Sequence, residues 1–207
     1  LIVDSLYNSD ISVLDAIEKV SGVRVAFEKI DLRDKSALLA LASKYEITSV
    51  IHFAAFKAVK ESKENPLKYY ENNILGLVNI LYLMKECACK QLIFSSSCTV
   101  YGEVDKVPVD EHFPIQKPFS PYGNTKQIGE EIITDVAKVS TINAILLRYF
   151  NPIGSHPSAE IGELPIGVPQ NLVPFITQTG IGLRKELMVY GNDYPTVDGT
   201  CIRDYIH

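Results

Sequence analysis

Along this chain the hydrophobic residues fall into short continuous runs that alternate with longer stretches of helical periodicity. The continuous runs are rich in Val, Ile, Leu and Phe, as is typical of strands buried on both faces of a sheet. They predict strands at residues 1–4, 23–30, 49–55, 91–97 and 142–149. The stretches between them predict helices at residues 34–45, 66–87 and 121–139, the second of which begins at Pro66.

Strands that alternate with helices predict an α/β fold, and continuous apolar strands favour a parallel sheet with helices on both faces. We therefore predict a doubly wound, Rossmann-like parallel sheet over residues 1–150. Residues 151–207 are rich in Pro, Gly and Asn, with one predicted helix at 172–183 and one short strand at 187–190. Because irregular segments commonly line binding sites, we assign residues 151–207 to a smaller, substrate-binding lobe.

The first residue, Leu1, already lies inside the first predicted strand. A Rossmann-like unit also needs a Gly-rich loop about 20 residues before the acid that ends its second strand, and the chain has no such loop. We therefore expect both parts to be incomplete. The domain would continue before Leu1 with its first strand and Gly-rich loop, and the lobe would continue after His207.

Composition and charge exclude several classes of function. Hydrophobic residues make up 46% of the chain and charged residues 22%, which excludes a disordered protein. The 20 basic and 25 acidic residues include no basic cluster, which argues against a nucleic-acid partner. No apolar segment reaches the roughly 20 residues that a membrane helix requires. Cys87, Cys89, Cys98 and Cys201 lack the spacing of a zinc site, so we expect no metal and a reducing, cytoplasmic location.

Ligands of doubly wound sheets bind beyond the carboxyl ends of the strands, so the residues that follow each predicted strand are the candidates for a site. The first is Asp4, whose carboxylate could accept both hydroxyls of an adenine ribose and would repel a 2′-phosphate, which favours NAD over NADP. A helix N-cap or turn role for Asp4 is equally compatible with the sequence at this point. The other candidates are Asp31 and residues 52–57, 95–99 and 148–151.

Tyr122 and Lys126 lie four residues apart in a predicted helix that begins with Ser120 as N-cap and Pro121 in the first turn. At this spacing both side chains lie on one helix face, where the Lys126 ammonium would lower the pKa of Tyr122 and make it a base near neutral pH. Such a pair arises by chance on many surface helices. Here it follows a strand that ends in Ser97, whose hydroxyl could share a proton with Tyr122, and this context favours catalysis.

Several long motifs resemble those of the UDP-glucose 4-epimerases, a family of the extended short-chain dehydrogenase/reductase superfamily. The resemblance implies tightly held NAD, reversible conversion of UDP-glucose and UDP-galactose in galactose metabolism, and a homodimer that packs through the helices at 66–87 and 121–139. The motifs are HFAAFKAV (52–59), YYENN (69–73), FSSSCTVYG (94–102), SPYGNTK (120–126), LRYFNPIG (147–154), QNLVPF (170–175) and GNDYPTVDGTCIRDYIH (191–207).

The resemblance also implies roles for individual residues. Ser97, Tyr122 and Lys126 match the catalytic set. Positions that contact the cofactor are matched by Asp4, Asn8, Asp31, Phe53, Ala54, Lys57, Asn72, Ser97, Tyr122, Lys126, Tyr149 and Phe150. Positions that contact the UDP-sugar are matched by Thr99, Asn151, Asn171, Leu172, Tyr190 and Arg203.

In the implied reaction, Tyr122 takes the proton of the sugar 4-hydroxyl while C4 gives a hydride to NAD, and the 4-keto sugar rotates before the hydride returns to its other face. Related dehydratases carry Asp-Glu in the strand-end motif, where this chain has Ser97-Cys98-Thr99, which favours simple epimerisation. Ala55 replaces a common Gly near the expected cofactor diphosphate, so we expect a modest loss of NAD affinity.

Two other functional readings remain open from the sequence. The chain could be a module that binds NAD and sugar nucleotides without turnover, although the intact catalytic set argues against this. Alternatively, these 207 residues could be an inactive fragment of an epimerase, because part of the expected cofactor site would lie before Leu1.

Overall fold

The structure of the chain is a computed structural model, and it describes residues 1–104 and 106–207. Its strands are β1 (Ile2–Asp4), β2 (Phe27–Lys29), β3 (Ser49–His52), β4 (Gln91–Ser95), β5 (Asn143–Leu147), β6 (Asn151–Pro152) and β7 (Tyr205–Ile206). Its α-helices are α1 (Val13–Ser21), α2 (Lys35–Leu39), α3 (Leu41–Lys44), α4 (Val59–Glu64), α5 (Pro66–Tyr70), α6 (Gly76–Glu86), α7 (Pro121–Lys138) and α8 (Leu172–Gly180). A π-helical turn covers Glu71–Leu75 and a 3₁₀ turn covers Cys98–Tyr101.

The strands pair in three groups. The central one is a three-stranded sheet in the order β3–β4–β5, in which both neighbouring pairs are parallel. In its register, Ile51 lies beside Ile93 and Ile93 beside Ile145, so the carboxyl ends of the three strands meet at one edge. β1 pairs with β2, and the two-residue strands β6 and β7 pair in parallel. The predicted α/β fold with parallel strands is confirmed.

The chain divides into two compact units. One contains residues 1–2, 6–27 and 150–207, and the other contains residues 3–5 and 28–149. The second unit holds the three-stranded sheet and α2 to α7, and the first holds α1, α8 and the β6–β7 pair. The assignment of residues 1–150 and 151–207 to a cofactor domain and a substrate lobe stays a prediction.

The hydrophobic core of the second unit lies between the sheet and its helices. Leu77 and Met84 of α6 are fully buried, together with Leu92 of β4 and Ile133 of α7. Gly129 allows α7 to approach β4, because a Cβ atom there would lie 2.8 Å from Cζ of Phe94. This close approach brings the first two turns of α7 to the carboxyl end of β4.

The single helix predicted at 66–87 is wrong in detail, because it is interrupted. α5 begins at Pro66 as expected, but the backbone widens into the π-helical turn at Glu71–Leu75 before α6 continues to Glu86. π-Helical turns of this kind occur frequently at functional sites. Here the turn carries Asn73, a buried side chain whose contacts are described below.

Other sequence predictions differ from the structure at element ends. The helix predicted at 34–45 is split into α2 and α3, and the helix predicted at 172–183 ends at Gly180, as the poor helix propensity of glycine would favour. Residues 187–190 form no strand, and their apolar side chains are exposed, with Tyr190 at 84%. Helices α1 and α4 were not predicted.

Candidate active site

Ser97 lies at the turn that follows β4, at the carboxyl edge of the three-stranded sheet. Its hydroxyl accepts a hydrogen bond of 3.2 Å from the backbone N–H of Thr99 and so caps the 3₁₀ turn. The next backbone N–H, of Cys98, donates to the carbonyl of Tyr149 at 2.9 Å. The turn is thus fixed both to itself and to the segment after β5.

The predicted start of α7 is confirmed. Ser120 is the N-cap residue and accepts from the Gly123 N–H at 3.1 Å, and Pro121 occupies the first turn. This start places Tyr122 and Lys126 one turn apart on the helix. The side chain of Ser97 is close enough to that of Tyr122 to lower its pKa through hydrogen bonding, so these two members of the predicted catalytic set interact.

Lys126 is 5% exposed, and its Nζ donates to the carbonyl oxygen of Ser95 at 2.6 Å. Burial lowers the pKa of Lys126 to about 8. Nζ also lies 5.9 Å from the ring centroid of Tyr122 and 5.2 Å from that of Phe94. The ammonium therefore lies near two aromatic rings and is held by a hydrogen bond to the end of β4.

The expectation that Lys126 would lower the pKa of Tyr122 is not met in this structure. Burial raises the pKa of Tyr122, and the hydrogen bond with Ser97 opposes that rise only in part. The physical reason is that Lys126 is buried, Tyr122 is partly buried, and Lys126 directs its hydrogen bond to the carbonyl of Ser95. The chain alone therefore favours the neutral phenol of Tyr122.

Asn73 is a site residue that the sequence interpretation missed. Its Oδ1 accepts from the Phe56 N–H at 2.9 Å, and its Nδ2 donates to the Phe56 carbonyl and to Oγ1 of Thr125, each at 3.0 Å. Oγ1 of Thr125 in turn donates to the carbonyl of Tyr122 at 2.7 Å. One amide thus ties the segment after β3 to the helix that bears Tyr122. The signal in the sequence was the second Asn of the YYENN motif, because the resemblance assigns only its first Asn, Asn72, to the cofactor site.

The predicted cofactor contacts of the second unit lie where strands end. Asp4 ends β1, and Asp31 follows β2. Arg33 forms an ion pair of 2.7 Å with Asp31, and hydrogen bonding from Arg33 lowers the pKa of the Asp31 carboxyl. The remaining ones are Phe53, Ala54 and Lys57 after β3, Asn72 in the π-helical turn, and Tyr149 after β5. Asn72 donates to Oδ1 of Asn73 at 3.0 Å.

The residues at the sheet edge fit a dinucleotide cofactor in their donor chemistry and shape. The rings of Phe53 and Tyr149 are stacked, with centroids 6.4 Å apart and planes at 27°, and Phe53 is 61% exposed. Such a pair offers a flat apolar surface at the same edge of the sheet as Ser97. A nicotinamide with its ribose needs such a surface together with hydroxyl and ammonium partners.

Apart from Thr99, the other predicted site residues belong to the first unit. Asn151 in β6 pairs with β7 and donates through Nδ2 to the Asp204 carbonyl at 2.8 Å, next to Arg203. Asn171 is the N-cap residue of α8 and donates to a carboxylate oxygen of Glu163. The remaining members are Asn8, Phe150, Leu172 and Tyr190, of which all but Phe150 are exposed.

Thr99, predicted to contact substrate, has a buried Oγ1 that forms no hydrogen bond in the described part of the chain. It lies next to Gly123, where a Cβ atom would be 3.2 Å from it. Among residues 1–104 and 106–207, no cluster of His, Cys, Asp and Glu could hold a metal ion. The helices within those residues include none that is long and apolar enough to cross a membrane.

Comparison with protein families gives a match over residues 2–207 to the family described as GDP-mannose 4,6 dehydratase. A UDP-glucose 4-epimerase of Schizosaccharomyces pombe is 49% identical over 212 residues, which cover the whole of this chain and 59% of that protein.

Solved structures show the same similarity. The UDP-glucose 4-epimerase of Stenotrophomonas maltophilia, crystallised with NAD and a formylated UDP-arabinopyranose, is 46% identical with a TM-score of 0.94 and covers 100% of this chain. The enzyme of Bifidobacterium longum, in complex with NAD⁺ and UDP, is 42% identical with a TM-score of 0.95 and covers 99%. The chain spans 61% and 62% of those two structures, that is, about three fifths of the proteins it matches.

Proposed function

Because the chain belongs to the family described as GDP-mannose 4,6 dehydratase, within the extended short-chain dehydrogenases/reductases, we propose that its full-length protein is an NAD-dependent UDP-glucose 4-epimerase. It would interconvert UDP-glucose and UDP-galactose, as a step of galactose metabolism. The similar proteins named above are UDP-glucose 4-epimerases, which supports this reaction over the dehydration that the family description names.

One observation supports the proposal: the phenol of Tyr122 interacts with Ser97 at the carboxyl edge of the sheet, and Lys126 is buried one turn further along α7. Epimerisation at C4 requires a group that removes a proton from the sugar hydroxyl and later returns it. Tyr122 can do this, and Ser97 provides a second hydroxyl through which the proton can move.

NAD would be held by the stacked rings of Phe53 and Tyr149, with Lys126 directed toward its ribose. When bound, NAD would supply the acceptor for the C4 hydride and a positively charged ring whose field favours the phenolate of Tyr122. Lys126, with a pKa of about 8, is mainly protonated at neutral pH. The positive charge of the bound cofactor would offset the burial that raises the pKa of Tyr122 in the chain alone.

Substrate would be gripped by residues of the first unit. The guanidinium of Arg203 is exposed and suits a diphosphate as a charge-assisted fork. Asn171 begins the nine-residue helix α8, whose first N–H groups and positive dipole end also favour phosphate. Asn151, Leu172, Tyr190 and Thr99 are proposed as further contacts to the UDP-sugar.

We also propose a cytoplasmic homodimer. All four cysteines are free thiols, which suits a reducing compartment. The helical segments at 66–87 and 121–139 would form the dimer contact, and Leu75 and Tyr82 of the first segment are exposed apolar side chains. Light scattering of the full-length protein would test the dimer.

The reaction is tested with Tyr122→Phe in the full-length protein, with Tyr194→Phe as the matched control, because Tyr194 is exposed and lies outside the proposed site and dimer contact. Losing the proton-transfer group should lower the epimerisation rate by about a hundredfold or more, while bound NAD is retained. The control should keep the wild-type rate. An unchanged rate in Tyr122→Phe would refute the mechanism, and a wild-type protein that binds NAD and UDP-sugar without turnover would favour the binding module.

A further inference from the structure

A buried ion pair lies behind the proposed catalytic set. Glu130 of α7 is 3% exposed, and Arg148, directly after β5, binds it as a fork. Nε of Arg148 donates to Oε1 of Glu130 at 3.0 Å and Nη2 donates to Oε2 at 2.7 Å. The hydroxyl of Ser96 donates to the same Oε1. The Glu130 carboxylate therefore accepts from two different strand ends.

Each partner of Glu130 is adjacent in sequence to a residue of the proposed site. Ser96 lies between Ser95, whose carbonyl accepts from Lys126, and Ser97, which contacts Tyr122. Arg148 precedes Tyr149, which stacks on Phe53 and accepts from the N–H of Cys98. Glu130 itself is one helical turn beyond Lys126. One carboxylate thus links α7, the end of β4 and the end of β5.

The Arg148 guanidinium is held on a further side. Its central carbon lies 5.0 Å from the ring centroid of Tyr101, a buried residue at the end of the 3₁₀ turn that begins at Cys98. The hydrogen bonds of Glu130 raise the pKa of Arg148, so the guanidinium stays charged at any pH of interest. Both ends of the 3₁₀ turn are consequently connected to this one charge pair.

Stability alone does not account for such a pair. Removing two charges from water is costly, and well-packed apolar residues of similar volume often serve a core equally well or better. A fork with defined geometry does restrict the relative positions of the elements that carry it. The elements restricted here are those that carry the proton-transfer groups.

We propose that Glu130 is a positioning residue for the reaction, which acts through Ser96 and Arg148 to hold the turn after β4 against α7. In this position the Ser95 carbonyl accepts a hydrogen bond from Lys126, and the Ser97 side chain interacts with Tyr122. Glu130 touches neither substrate nor cofactor in this role. The inference rests on the proposed epimerase function.

The test compares Glu130→Gln with Glu131→Gln in the full-length protein. Glu131 is the adjacent exposed residue of α7, so its variant controls for a lost helix carboxylate. Glu130→Gln keeps the shape of the side chain but breaks the ionic fork. We expect kcat to fall about tenfold or more while KM changes less than about twofold, because the reacting groups and not the sugar contacts are displaced. Bound NAD should stay at the wild-type level.

A second variant, Ser96→Ala, keeps the proposal testable if Glu130→Gln does not fold, because it removes one hydroxyl only. Its kcat should also fall, and the double variant should lose no more than Glu130→Gln alone, since both act along one connection. The rate at which UDP-glucose reduces bound NAD, measured in a single turnover by the absorbance of the reduced cofactor, should fall in parallel with kcat.

Wild-type kcat in folded Glu130→Gln, or in Ser96→Ala where Glu130→Gln is unfolded, would overturn the proposal, as would a change confined to KM or to thermal stability. If the proposed function itself were wrong, the wild-type protein would show no epimerisation at all, which distinguishes that failure from failure of the Glu130 proposal.

Discussion

His52 should make the fold sensitive to acid. It ends β3, is 5% exposed, and its ring centroid lies 5.8 Å from that of Phe94. Burial, followed by the nearby charge of Lys126, lowers the pKa of His52 from 6.5 to about 3. The folded protein therefore accommodates the neutral imidazole and resists the imidazolium.

The sign and size of the effect follow from that pKa. The unfolded chain binds a proton at His52 below about pH 6.5, whereas the folded chain does so only near pH 3. Stability is therefore fully present above pH 6.5 and is lost as the pH falls below it. At pH 5, about 1.5 pH units below the unfolded value, the loss is about 2 kcal/mol at roughly 1.4 kcal/mol per unit.

The assay is urea unfolding of the full-length protein at pH 7 and at pH 5, for the wild type, His52→Gln and His112→Gln. Glutamine cannot titrate, so His52→Gln should lose about 2 kcal/mol less than the wild type between the two pH values. Any constant cost of the substitution cancels in this difference, as do the carboxylates that both proteins share. His112 is exposed, with 95% of its side chain accessible, so its variant should follow the wild type. Parallel losses in the wild type and in His52→Gln would refute the reasoning.

Two further substitutions examine the packing and the hydrogen bonds that hold the site. Gly129→Ala puts a Cβ atom 2.8 Å from Phe94 and 3.2 Å from Leu77, so overpacking of about 1–3 kcal/mol should outweigh a helix-propensity gain of up to about 1 kcal/mol. The melting temperature of Gly129→Ala should therefore fall. Gly180→Ala is the control, because a Cβ atom there meets nothing within 4 Å, and its melting temperature should not fall. Equal melting temperatures of the two variants would contradict the close approach of α7 to β4. Asn73→Ala leaves the Phe56 backbone groups without their partner, so it should lower the free energy of unfolding in urea by about 1–3 kcal/mol and reduce the amount of bound NAD. Wild-type stability together with wild-type NAD content would refute the bridging role of Asn73.

Strands β1 to β5 were predictable because parallel strands of this fold class carry apolar side chains on both faces, which gives continuous apolar runs in the sequence. The two-residue strands β6 and β7 were not predicted. The ends of the strands were harder to predict from the sequence. β3 ends at His52 and not at Ala55, since Asn73 holds the backbone of Phe56 outside the sheet. The interruption at Glu71–Leu75 has a similar origin. The apolar pattern of residues 66–87 is compatible with one helix, and the widened turn carries an amide whose partners, Phe56 and Thr125, are distant in sequence.

For the candidate site, spacing predicted which residues face each other but not their protonation. The interval from Tyr122 to Lys126 places both on one helix face, and the strand-end Ser97 does meet Tyr122. The pKa values depend on burial and on the direction of Nζ, which the interval does not specify. Because Nζ of Lys126 bonds to Ser95, burial dominates at Tyr122, and its pKa rises. The Glu130–Arg148 pair was missed for a related reason, since two residues 18 positions apart carry no local signal of their contact.

The choice between epimerisation and dehydration depends on the proton donors around the turn after β4. Dehydration of a sugar needs additional acid and base groups beside its hydroxyls, and this turn offers Ser97, Cys98 and Thr99. In the part of the chain that the structure describes, the carboxylate tied to this turn is Glu130, which is buried and accepts hydrogen bonds from Arg148 and Ser96. Both of its oxygens already bond to neighbouring side chains of the protein, so this carboxylate is engaged in contacts within the fold. In the proposed epimerisation, the 4-hydroxyl gives its proton to Tyr122 and Ser97, C4 gives a hydride to NAD, and both later return, so no further acid or base is required.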